Sequence, residues 1–280
     1  MATLGDNRYG KAGIRLVLVR RNGPRHEIRD LTVATSLQGD FAAAHLVGDQ
    51  SAVLPTDTQK NTVYALAREH GVGAVEEFAL VLARHFVEDV APVTAARVRV
   101  SEQQWDRAVV DGAEHDHTFV RAGQESRTTE VTVSDRGTVV VSGVEDLVLL
   151  KSTGSEFHGF LVDEYTTLQP TRDRILATSL RARWRYRDRP ADFDTAYDRL
   201  RALLVSRFGA VHSLALQQTL WEMGRALVDD SEAGVEQVDL VAPNKHHFLV
   251  DLTPFGLDNP GEVFVATEAP YGLIEVSVHA

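Results

Sequence analysis

Residues Ile14–Thr35 read IRLVLVRRNGPRHEIRDLTVAT. Ile14, Leu16 and Leu18 alternate with Arg15, Val17 and Val19, the two-residue period of a strand. Arg21-Asn22-Gly23-Pro24 carries turn chemistry, and Ile28–Thr35 reads as the return strand of a β-hairpin. The pattern downstream turns helical. Thr56-Asp57-Thr58 offers N-cap candidates ahead of Val63, Leu66 and Ala67, Gly71 and Gly73 punctuate, and Phe78, Leu82, His85 and Phe86 fall near one face of a second helix. Strands resume at Ala95–Val100, around Phe119–Arg121, at Glu130–Ser134 and at Thr138–Ser142.

The second half repeats this order. Strand-like Leu147–Leu150 and Ile175–Tyr186 precede helical Thr195–Phe208 and Ser213–Val228, and strands return at Val235–Leu240, His246–Leu252 and Leu273–Val278. Strands grouped around paired helices predict an α+β protein with antiparallel sheets and helices on one face. Such sheets, open at their edges, favour assembly with further copies.

Composition narrows the chemistry. With 29 Lys and Arg against 40 Asp and Glu the chain carries −11, a poor general match for nucleic acid or anionic membrane. The absence of cysteine removes disulfides, thiolate nucleophiles and Cys-ligated metal centres. No signal-like N-terminus, long apolar run or C-terminal Ser-Lys-Leu is present, and a soluble cytoplasmic protein is expected. There is no phosphate-cradling glycine loop and no nucleophile elbow.

Several motifs could carry chemistry, each beside a plainer reading. Thr56 and Asp57 in VLPTDTQKNTVY could cap a helix or hold a hydroxyl and a carboxylate at a pocket edge. Asn244 and His246 in APNKHHFLVDL could be ordinary strand residues or a positioned proton relay. Phe157 could be core or a stacking platform for a planar heterocycle, and Arg174 an ion-pair partner or a forked donor to a planar anion. Gln217 could be a solvated helix residue or a reader of a purine edge. His115-Asp116-His117 has a spacing some metal sites use, but reads as structural beside the Asp111-Gly112 turn, as does Asp163-Glu164.

Taken in order, RYGK, PTDTQKNTVY, LKSTGSEFHGFLVDEYTTL, DRIL, LQQTL and PNKHHF closely resemble the urate oxidase (uricase) family across nearly the whole chain. The resemblance implies the tunnelling fold, with domains at residues 1–143 and 144–280, and four copies building a barrel-lined tunnel with active sites at subunit interfaces. It implies oxidation of urate by O2 and water to 5-hydroxyisourate and H2O2, with no cofactor and no metal. It assigns Lys11 and Thr56 as catalytic, with Asp57 alongside, and His246 extending their proton relay. Phe157 would stack on the purine, Arg174 and Gln217 grip its edge, Leu168 and Leu216 line the pocket, and Asn244 with Thr56 hold O2 and then water. His158 and Arg172 depart from fungal relatives, which carry a bulkier aromatic and a Trp there. The rivals are a pterin-type tunnelling-fold enzyme, normally with a zinc site and a glutamate anchor, and a non-catalytic purine-binding protein.

Overall fold

The hairpin closes as a pair of long strands, β1 (Tyr9–Arg20) and β2 (Glu27–Gly39), paired antiparallel from Arg20↔Glu27 back to Tyr9↔Leu37. The computed structural model describes residues 2–280. Alternation dictates burial: Ile14, Leu16, Leu31, Val33 and Leu37 point inward, while Arg15 and Val17 are exposed. Two compact units divide the chain, the first ending at Gly143 and the second running Val144–Ala280.

After the short α1 (Ala42–Leu46) come α2 (Thr56–His70) and α3 (Val75–Glu88), then β3 (Val93–Val110) and β4 (Ala113–Ser134). The strand order in the first unit is β1-β2-β3-β4, all antiparallel. The α3 stripe of Phe78, Leu82 and Phe86 is buried and packs on β3 and β4. Each such side chain stabilises by about 1.5–3 kcal/mol through the water it sheds. His85, expected near that face, is half-exposed and pairs with Asp89 at 2.8 Å.

Asp111 and Gly112 both take positive φ, 52° and 82°, and close the two-residue β3–β4 turn. The two segments expected around Phe119–Arg121 and Glu130–Ser134 are one strand, β4; Gly123, at φ 65°, interrupts the alternation without ending the ladder. Likewise Thr138–Ser142 and Leu147–Leu150 belong to a single β5 (Gly137–Lys151), which carries the chain from one unit into the next.

The second unit contains β6 (Leu176–Tyr186), α4 (Phe193–Ala210), α5 (Leu216–Val228), β7 (Val235–Lys245), β8 (His247–Leu249), β9 (Phe264–Ala266) and β10 (Gly272–His279). Here β6, β7 and β10 are neighbours in that order, and β8 pairs with β9 apart from them. The strand expected over His246–Leu252 shrinks to three residues, followed by a 3-10 turn at Thr253–Phe255. Asp192 caps α4 through Thr195 N–H. The α5 helix packs on β7 and β10, and a Cβ at Gly224 would lie 2.6 Å from Val278, so glycine sets how closely it sits. The architecture is α+β, and among the described residues no helix is long and apolar enough to cross a membrane.

Candidate active site

In the first unit the site residues gather where β1 meets the start of α2. Lys11 lies in β1 just before a bulge, where the register jumps from Lys11↔Thr35 to Ile14↔Val33 and Gly13 takes φ 69°. Neither Thr56 nor Asp57 is the cap of α2. Pro55 occupies the N-cap and no side chain caps it, so the hydroxyl of Thr56 is not spent on the helix. The half-exposed Thr56 is the first helical residue, where the main-chain N–H groups of a first turn lack intrahelical partners.

The Asp57 carboxylate is engaged along its own helix. It accepts from Lys60 and, at 3.1 Å, from Asn61, and these contacts hold it below the usual carboxylate range. Lys11 lies close enough to add a smaller pull in the same direction. Among the described residues the Lys11 side-chain nitrogen has no ion-pair partner and the Thr56 hydroxyl no hydrogen bond.

The second unit assembles its residues by a local zipper. Ser213 N–H donates to Gly154 C=O at 2.9 Å and Glu156 N–H to Ser213 C=O at 2.7 Å. On the other side Phe157 and Thr171 exchange two main-chain hydrogen bonds, at 2.8 and 2.9 Å, and Arg174 N–H donates to Ser155 C=O at 2.9 Å. One extended segment thus joins three parts of the chain: Phe157, Arg174 and the start of α5 with Leu216 and Gln217.

Within it, the Arg174 guanidinium carbon sits 5.2 Å from the Phe157 ring centroid, and Phe160 stacks on Phe157 at 5.1 Å. Arg174 is half-buried, which lowers its pKa, and its Nε is buried without a hydrogen-bond partner. Gln217, the second residue of α5, is exposed and its carboxamide has no partner among the described residues. Leu216 is buried, whereas Leu168 is 56% exposed in the loop between Phe157 and Arg174.

Asn244 sits near the end of β7, flanked by Thr178 on β6 and Gly272 on β10. His246 falls in the break between β7 and β8, where its carbonyl accepts from Thr267 N–H at 2.9 Å. Burial first, then the positive field of Arg174 and the neighbouring His247, push its imidazole below 6.5. The neutral form therefore prevails at neutral pH, and the charge of Arg174 reaches His246.

Other polar groups escaped the sequence reading. The Glu156 carboxylate bridges His158 and His212, each at 2.7 Å, beside Phe157. Thr35 and Gln59 are buried beside Lys11. Gln59 did carry a signal, a polar residue in the inward stripe Gln59, Val63, Ala67 of α2. The His115 and His117 rings lie 4.4 Å apart, with His26 5.7 Å from His117. Among the described residues no group of three or more His, Asp or Glu side chains is arranged to hold a metal ion.

Comparison with known proteins places nearly the whole chain in one family. The sequence model of the uricase family matches residues 7–132 and 140–275. The uricase of Arthrobacter globiformis is 53% identical over 275 residues, covering 98% of this chain and 89% of that one. The uricase of Danio rerio is 36% identical, covering 96% and 92%. The crystal structure of the Arthrobacter globiformis uricase superimposes with a TM-score of 0.94 at 52% identity, covering 100% of this chain and 96% of that chain. A uricase from Bacillus fastidious shares the fold at a TM-score of 0.81 and 23% identity.

Proposed function

The chain belongs to the uricase family and oxidises urate with O2, and on that premise we propose that its two half-sites meet across subunits of a homotetramer, yielding 5-hydroxyisourate and H2O2 without a cofactor. The observation that carries the substrate half is Arg174, a half-buried cation beside an aromatic ring, with no ion-pair partner and a buried Nε without a hydrogen bond among the described residues. An unpaired buried charge is costly, and a bound anion offsets that cost. Urate is planar and anionic. Phe157 supplies the stacking face, the Arg174 fork and the Gln217 amide pair with one edge of the ring, and Leu168 and Leu216 flank it.

The electron source is the substrate. Deprotonated urate is rich enough in electrons to reduce O2, and water then adds to the oxidised ring as hydrogen peroxide leaves. Lys11 and Thr56 remove and relay the proton, with the neutral His246 as a further acceptor. Asn244, whose carboxamide has no partner among the described residues, and Thr56 hold O2 and then water over the ring. Asp57, its carboxylate taken by Lys60 and Asn61, contributes its main-chain N–H at the start of α2. Assembly is supported by β1 and β10, which each leave one side without a strand neighbour, and by the exposed Leu161, Val162 and Tyr165. A cytoplasmic setting belongs to the same reading.

Aerobic turnover by the purified, chelator-treated protein tests the proposal. Loss of urate absorbance is followed together with O2 uptake and H2O2 release, and all three are expected to survive chelation. Activity lost on chelation and restored by a metal ion would overturn the cofactor-free reading. Lys11→Ala is expected to bind urate yet lose most turnover; normal turnover would sink the relay.

A further inference from the structure

At Lys11 a side chain joins the β1–β2 ladder. The Lys11 N–H donates to the Thr35 hydroxyl at 3.2 Å, beside the bulge at Gly13. The neighbouring backbone is pressed against the same residue, since a Cβ on Gly10 would lie 1.9 Å from the Thr35 carbonyl oxygen. The Thr35 hydroxyl then gives its own proton to Gln59 Oε1 at 2.7 Å. Gln59 stands one turn along α2 from Thr56, and its Nε2 donates to Leu54 C=O at 3.3 Å, two residues ahead of Thr56. Three hydrogen bonds therefore run unbroken from the main chain of Lys11 to the main chain that launches Thr56. Their middle members are sealed from water, Thr35 at 5% exposure and Gln59 at 0%.

A buried polar pair inside an otherwise apolar packing of helix on sheet is a poor choice for adhesion alone, because an apolar pair of equal shape serves as well or better. What such a pair provides is a single permitted arrangement, since any shift leaves a buried donor or acceptor unpaired. We propose that Thr35 and Gln59 are positioning residues for the reaction. They lock the bulged Lys11 segment to the start of α2, so that the lysine and the Thr56 hydroxyl are presented together. This rests on the reading of Lys11 as part of the proton relay. Buried as they are, the two residues act through Lys11 and Thr56, and the side chains assigned to grip urate, Phe157, Arg174 and Gln217, belong to the other unit. Their loss is therefore felt in kcat and spares KM.

The test compares Thr35→Val, which keeps the branched shape without the hydroxyl, with Gln59→Met, the double variant, Thr35→Ser and Lys11→Ala. Steady-state kcat and KM for urate are measured per folded molecule, with thermal unfolding recorded for each. Thr35→Val and Gln59→Met are expected to lose kcat by about 10- to 100-fold, the scale of a small misplacement of a reacting group, with KM within about twofold of the parent. The double variant is expected to fall no further than either single change, because one break severs the chain. Thr35→Ser restores the hydroxyl and most of the activity that valine removes. If the valine variant does not fold, Gln59→Met carries the same comparison; if neither folds, a serine variant more than about tenfold below the parent in kcat overturns the proposal. A fall in melting temperature with kcat within twofold of the parent would also overturn it, leaving the pair a purely structural contact. Normal turnover by Lys11→Ala would instead refute the relay on which the proposal rests, a failure visible separately.

Discussion

Replacing Arg127 with methionine strands a carboxylate inside the first unit. Glu76, on α3, is 0% exposed; Arg127, on β4, is 4% exposed and reaches its Oε2 at 2.6 Å, while the Ser142 hydroxyl donates to Oε1 at 2.6 Å. Burial raises the Glu76 pKa, and Arg127 and Ser142 only partly oppose it. Methionine keeps much of the volume and removes the cation. Breaking one side of a buried ion pair costs about 3–5 kcal/mol at neutral pH. At about 2–4 °C per kcal/mol this is a fall of roughly 6–20 °C in melting temperature.

The sign of the pH dependence follows from the raised value. A group that holds its proton more tightly when folded favours the folded state at low pH, and that contribution is lost as pH rises through its folded pKa. Without Arg127 the folded pKa climbs further. The deficit of R127M is therefore largest at pH 8 and narrows as pH falls toward the ordinary value of 4.5. Circular dichroism melts and urea titrations across this range give the curve, and adding Glu76→Gln to R127M should recover part of the loss by removing the stranded charge. A deficit below about 1 kcal/mol at pH 8, or one that widens on acidification, would refute the reasoning.

Arg174→Lys should raise KM for urate by about tenfold or more with a smaller change in kcat, since an ammonium cannot present a planar fork; unchanged KM would remove Arg174 from the substrate edge. Arg174→Met should move the His246 imidazole upward but still below 6.5, because burial, the larger cause, remains. Titration of that ring by NMR reads this directly, and a downward movement would contradict the field assigned to Arg174. The hydrogen bonds from His212 and His158 hold the Glu156 carboxyl below 4.5, so its contribution is present above that value and lost as pH falls through the depressed one. Glu156→Gln should accordingly melt below the parent at pH 6–7, with the gap closing at acid pH; a gap independent of pH would mean that charge plays no part there.

Periodicity and turn chemistry act over a few residues, and what they govern was legible in the chain. The alternation of Ile14–Val19, the Asp111-Gly112 turn and the apolar stripe Phe78, Leu82, Phe86 each name an element directly. Family kinship was legible for the same reason, written in separated motifs that keep their order. Where tertiary pairing overrode a local signal, reading failed. The pattern lapses between Arg121 and Glu130 and between Ser142 and Leu147, yet β4 and β5 run through both gaps because neighbouring strands continue the ladder. Thr56 and Asp57 look like caps, yet Pro55 takes that position.

The sequence by itself thus determined the alternation, the turns, the helical stripes and the family. Phe157, Arg174 and Gln217 were legible as types able to grip a planar anion, while Lys11 and Thr56 entered as catalytic only through the family resemblance. Only the tertiary structure decided which of them lie together and in what state. The zipper joining Gly154–Phe157 to Thr171–Arg174 and to Ser213 leaves Arg174 half-buried, its Nε without a hydrogen bond among the described residues, and the Thr35–Gln59 chain ties Lys11 to the start of α2. Neither is visible in the chain, because a hydrogen bond between residues far apart in sequence leaves no periodic trace. Burial, the larger cause of the lowered His246 pKa, exists only once the chain has closed on itself.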